Sequence, residues 1–142
     1  MPMMRVPWIL VVATSALLAS AALAADRAAI ERGRYLTHDV AMCVQCHTPR
    51  TSDGTLIRTR EFLGAPVPFE RPPFPNMRWA AQAPAIVGLP GFSDEDEITL
   101  LTTGHRPSGR VPDPPMPPFR FSRADAEAIV AYLRSLPPES SR

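Results

Sequence analysis

The sequence predicts an all-α fold: a small helical bundle joined by long proline-rich loops. Three observations carry this expectation. Apolar residues recur at helical spacing in three stretches, and no stretch shows the alternating pattern of a strand. Proline makes up 18 of the 142 residues, well above the usual ~5%. The length supports one domain, since two would leave each half too small for a good core.

The first element is an address. Met1 to Arg5 carry one positive charge, Pro7-Trp8 follows, and an apolar run extends from Ile9 to Leu23 before the small-residue close Ala22-Leu23-Ala24. This layout predicts a secretory signal peptide over residues 1–24, with the working domain over 25–142 and the periplasm as destination. The run is short for the ~20 residues of a spanning helix, so a membrane span is expected only if the signal stays uncleaved. No cysteine follows the run directly, which argues against a lipid anchor, and no twin-arginine pair precedes it, which favours the general export route.

The first helix is expected from about Asp26 to Thr37, with Ala29, Gly33 and Leu36 on one stripe and Ile30 and Val40 beside it. A second begins at Ser93, where Ser93-Asp94-Glu95-Asp96 has the spacing of a capping box. Ile98 and Leu101 lie on its stripe and Gly104 stops it. A third begins at Ser122, with Asp125 three residues on. Ile129, Leu133 and Leu136 form its apolar face, and Pro137-Pro138 ends it. Between these lie irregular segments from Pro49 to Pro90 and from His105 to Phe121. Loops of that length fit a compact domain when something other than polypeptide fills its centre. A large apolar cofactor would do so.

Charge narrows the function. The net charge is +1, which argues against nucleic acid as a partner. All basic residues are arginine. The absence of lysine excludes a lysine nucleophile, a Schiff base and a Walker-type phosphate loop. Removal of residues 1–24 takes Arg5 away and leaves fourteen arginines facing fourteen carboxylates.

Cys43-Val44-Gln45-Cys46-His47 is C-x-x-C-H, the attachment sequence for a c-type haem. Two thiols at this spacing can each form a thioether with one vinyl group of a single porphyrin. The following imidazole can then ligate the iron. Three other readings compete. A thioredoxin-like dithiol needs a βαβ setting that the sequence lacks. A structural zinc needs four ligands, with only His38 and His105 to supplement this trio. A plain disulfide gives no reason for the adjoining histidine. Covalent haem, bound at Cys43 and Cys46 with His47 as proximal iron ligand, accounts for all three residues.

Met116 is the expected distal ligand. Prolines 114, 115, 117 and 118 surround it, fixing φ and removing N–H donors. Such a stiff loop can present a thioether at a fixed place. Met77 and His105 are the alternatives, and a core-filling role is the ordinary use of a methionine.

These motifs resemble a small monohaem class I c-type cytochrome. Met116-Pro117-Pro118-Phe119, followed by Ser122 to Leu136, is similar to cytochrome subunits of bacterial periplasmic dehydrogenases. The resemblance spans Arg32 to Leu136. It implies a crossing of the first and last helices in which Gly33 admits Tyr132, with Tyr35 as a second aromatic. It also implies a proline carbonyl accepting from the proximal imidazole, for which Pro66 and Pro68 are candidates. The sequence departs from the pattern at Ala83-Pro84-Ala85-Ile86, which lacks an asparagine found in many such subunits. The lysines around the haem edge of mitochondrial relatives are missing too.

The resulting expectation is an electron carrier and not an enzyme. Histidine and thioether together leave iron no open position, and thioether ligation favours the ferrous state. Its partners would be redox proteins: a dehydrogenase as donor, and an oxidase or another cytochrome as acceptor. The alternative is an open-site haem enzyme or a gas or redox sensor whose methionine is displaced. Arg78-Trp79 could hold a haem propionate, although a core Trp79 beside a solvated Arg78 is the simpler assignment. Asp94 to Glu97 is explained by helix capping sooner than by calcium. Arg58, Arg60 and Arg71 could form a docking face or simply be solvated. His38 and His105 have no evident partner.

Overall fold

The computed structural model describes residues 23–137, so the signal segment lies outside the described residues except at its last two positions. Among the described residues four α-helices carry the fold: α1 (23–35), α2 (Cys43–His47), α3 (Asp94–Thr103) and α4 (Arg123–Ser135). The first helix does not continue to Thr37 as an α-helix. A π-helical turn at Leu36–Val40 takes over, closed by Ala41 N–H donating to Leu36 O at 2.8 Å. Thr37 Oγ1 lies 3.0 Å from both Gly33 O and Arg34 O, so its hydroxyl serves the carbonyls where the ladder changes register.

α3 and α4 start and stop where their sequences dictate. Ser93 Oγ accepts from Asp96 N–H at 3.2 Å and Asp96 Oδ2 accepts from Ser93 N–H at 3.3 Å, completing the capping box. Gly104 ends α3 at φ 70°, a left-handed conformation that glycine adopts without a Cβ penalty. Ser122 Oγ accepts from Asp125 N–H at 3.1 Å. The acidic first turn of α3 has a second use: Asp94 pairs with Arg134 and Glu95 with Arg123, tying it to α4. These pairs are exposed and each contributes at most about 1 kcal/mol.

The long loop from Pro49 to Pro90 holds more order than its sequence suggests. A two-residue antiparallel ladder, β1 (Ala65–Pro66) with β2 (Gln82–Ala83), pairs Ala65 with Ala83 and Pro66 with Gln82. It is too short to leave an alternating signature. A 3₁₀ turn occupies Arg58–Arg60.

The core joins α4 (Ala126, Ile129, Leu133) to Leu36, Val44, Phe62, Leu89 and Leu101. α1 crosses α4 at Gly33. A Cβ there would stand 2.0 Å from Ala128 O and 2.6 Å from Tyr132 Cβ, so only hydrogen fits. Tyr132 is buried, with its ring edge-on to Phe62 and His38. Tyr35 takes no part; it is 47% exposed, beneath the Arg32 guanidinium.

Candidate haem site

α2 places the three attachment residues together. On a helix, positions three and four apart share a face, so Cys46 and His47 both stand on the side of Cys43. Met42, with φ 52°, makes the left-handed turn that leads from the π-turn into α2. The two cysteines are not bonded to each other. Burial pushes the Cys43 thiol up to about 11 and raises Cys46 as well, while the Arg50 charge pulls Cys46 back down. A redox dithiol needs a depressed thiol that is ionised at neutral pH. Neither cysteine has that character.

His47 is buried, and its Nδ1 lies 2.7 Å from the carbonyl of Pro84. A carbonyl only accepts, so Nδ1 carries the hydrogen and donates. Nε2 is left as the basic nitrogen. Burial lowers the imidazole pKa, with the Pro84 contact opposing it, so the neutral, ligating form prevails near pH 7.

The acceptor is therefore neither Pro66 nor Pro68, both exposed. Gly64 N–H donates to His47 O at 2.8 Å, and the β1–β2 ladder then carries the chain across to Pro84. At Gly64 (φ 82°) a Cβ would meet Ala85 N at 2.8 Å and Ala83 O at 2.9 Å. Its absence lets the Pro84 strand approach. The departure at Ala83-Pro84-Ala85-Ile86 thus leaves the proline in service.

Cys43, Cys46, His47 and Met116 all line one cavity of about 340 Å³, within the usual range for small-molecule sites. Ile86, Leu89, Leu100, Ile129 and Leu133 supply apolar wall, and the charged side chains on it come from one stretch: Glu97, Arg106, Arg110 and Asp113. Met77 and His105 are not on this wall. The residues present fit a haem: thiols for attachment, an oriented imidazole, a thioether residue lining the same cavity, and apolar surface for a porphyrin. Among the described residues no group of three or more His, Cys, Asp and Glu could hold a metal ion by itself.

Other sequence candidates fall elsewhere. Arg78 and Trp79 do not line the cavity; Arg78 Nε is bound to Asp113 Oδ1 at 2.7 Å. Arg58 pairs with Glu61, and Arg71 donates to the carbonyls of Pro75 and Met77. His38 does have partners: Nε2 lies 3.1 Å from Glu61 Oε2 and Nδ1 lies 2.9 Å from Arg34 O. Twenty-three positions separate His38 from Glu61, and no local pattern links them.

A short helix offering two thiols and an imidazole to one apolar cavity, with a thioether on its wall, is the arrangement of a protein made to hold haem covalently. The chain belongs to the Cytochrome c family, whose model matches residues 30–137. It is 34% identical over 114 residues to the fructose dehydrogenase cytochrome subunit of Gluconobacter japonicus, a match covering 77% of this chain and 22% of that one. It is 32% identical over 112 residues to a diheme c-type cytochrome of Cereibacter sphaeroides, covering 75% and 35%. The chain thus spans between a fifth and about a third of the length of the curated relatives it matches. Family membership brings covalent haem c and electron transfer as the chain's role.

Proposed function

We propose that the chain is a monohaem electron carrier of the periplasm. Cys43 and Cys46 bind the haem, His47 and Met116 ligate its iron, and a dehydrogenase supplies electrons destined for the respiratory chain. The observation that carries this reading is that the two ligand residues line the same cavity as the two thiols. When bound, the haem supplies a one-electron centre. His47, held by Pro84, presents Nε2; the proline-flanked segment around Met116 presents its sulfur. Two protein ligands leave no position for substrate, so outer-sphere electron transfer is what the site supports. The name of the Gluconobacter relative supports a dehydrogenase donor, and the segment over residues 1–24 supports export. Among the described residues no helix is long and apolar enough to cross a membrane.

Absorption spectra of the purified protein, oxidised and reduced, test the proposal together with a pyridine haemochrome count. One haem per chain, a near-infrared iron–thioether band and no carbon monoxide binding at neutral pH are expected. Ready carbon monoxide binding by the reduced protein would move the function to an open-site haem enzyme or sensor.

A further inference from the structure

We propose that Arg106 and Arg110 form a paired carboxylate site that holds the propionates of the bound haem. This rests on the haem reading above and assigns the residues that anchor the charged edge of the group.

The loop after α3 begins with a tied turn. Arg106 N–H donates to Arg110 O at 2.9 Å, and Gly109 N–H to Arg106 O at 2.8 Å. Gly109 has φ 77°, which the turn requires. These bonds make neighbours of two arginines that both line the cavity. The Arg106 side chain is partly buried and the Arg110 side chain is exposed.

The carboxylates on the same wall do not neutralise them at hydrogen-bonding distance. Glu97 stands 4.0 Å from Arg106, and Asp113 stands 3.9 Å from Arg110. Asp113 is already gripped by Arg78 at 2.7 and 3.1 Å. Burial raises the Glu97 carboxyl, which weakens it as a counter-charge. The Arg106 guanidinium lies over the Phe92 ring at 4.5 Å from its centroid, which aims it. A guanidinium presents its donors as a rigid fork that fits a carboxylate. The ligand that suits this wall is an apolar plate with carboxylates on one edge. A haem is such a plate.

The test uses the full holoprotein as wild type, R106Q, R110Q, R106K and R110K, with the exposed R58Q as control. Haem content is measured first; a wild type lacking covalent haem overturns the haem reading, and this assignment with it. With haem present, the propionate bending vibration in the resonance Raman spectrum is expected to shift in both Gln variants. At the wild-type midpoint potential their oxidised-to-reduced ratio should rise roughly three- to tenfold, because loss of a nearby cation favours ferric iron. The Lys variants should recover the ratio while keeping a shifted vibration, since an ammonium keeps the charge without the fork. R58Q should change neither. Wild-type vibration and ratio in both Gln variants would overturn the assignment. Should the Gln variants fail to accumulate, an unshifted vibration in both Lys variants overturns it equally.

Discussion

His47 donates from Nδ1 to the carbonyl of Pro84 over 2.7 Å, across 37 positions of chain. This one bond fixes the tautomer, orients the ring and leaves Nε2 basic, as outer partners do for metal-bound imidazoles. A main-chain acceptor can be shifted by its surroundings but not deleted by a side-chain change. Gly64 sets the approach of that strand, since any Cβ there would press on Ala83 O and Ala85 N. Gly64→Ala is therefore expected to loosen the bond. Its measurable signature is a perturbed imidazole N–H proton resonance of reduced holoprotein, with the wild-type haem content retained.

Met116→Ala should abolish the near-infrared iron–thioether band and open the reduced protein to carbon monoxide. Met77→Ala and His105→Ala should leave the band intact, since neither residue reaches the cavity wall. A band that survives Met116→Ala and vanishes with Met77→Ala would move the ligand to Met77.

Much of this site is legible in the sequence because its signals are local. The spacing of Cys43, Cys46 and His47 lies within five residues, Met116 has its own prolines as context, and Ser93, Gly104 and Ser122 bound their helices by nearest-neighbour chemistry. What stayed hidden depends on distant pairs. Pro84 reaches His47 only through a ladder of two residue pairs, too short for a period of two to register. α2 is five residues long, less than two turns, so no apolar stripe announces it. The Arg106–Arg110 turn has no apolar periodicity either, and its closeness to the haem cavity exists only once α3 packs on α4. His38 finds Glu61 across a loop closure that composition does not encode.

Gly33→Ala should destabilise the fold severely. The added methyl would sit 2.0 Å from a backbone carbonyl of α4, which cannot swing aside as a side chain can. A cost of about 3 kcal/mol or more is expected from such overpacking, with a fall in Tm of roughly 10 °C or more. A thermal melt of the two holoproteins, followed by circular dichroism, measures it. An unchanged Tm would mean that α1 and α4 are free to separate.

Glu97 gives stability a pH dependence of known sign. Burial raises its carboxyl above the ordinary 4.5, with Arg106 and Arg134 pulling down and Asp96 adding to the rise. The fold thus binds this proton more tightly than the unfolded chain does. The stability so gained is complete below the ordinary value and is lost as pH rises through the raised one. Glu97→Gln stays neutral throughout and should lose no stability in that window. Other carboxyls, such as Glu61 and Glu95, are lowered and act in the opposite sense. The quantity to measure is accordingly the difference in urea midpoint between variant and wild type. It should move in the variant's favour as pH rises from 4 to 7, and a flat difference would show that Glu97 titrates normally.

Docking of the electron donor should depend little on salt. With residues 1–24 removed, fourteen arginines face fourteen carboxylates, and the haem carboxylates would leave only a small negative excess. Long-range steering needs a strong field of one sign, which raises association rates by ~10–10³ and collapses as salt is added. A nearly neutral carrier lacks it, and recognition falls to short-range contacts or a lasting subunit association. The rate of reduction by the proposed donor, a dehydrogenase, is therefore expected to change less than about threefold between low and physiological ionic strength. Stopped-flow reduction at a series of salt concentrations measures this directly. A steep decline with salt would show a charged docking face that the formal balance conceals, and the arginines at 58, 60 and 71 would be the first to replace. Gentle isolation of the native protein then separates the two remaining forms of partnership. Co-migration with dehydrogenase activity is expected for a subunit, whereas a lone monomer would leave electron carriage intact and make the protein a diffusing shuttle.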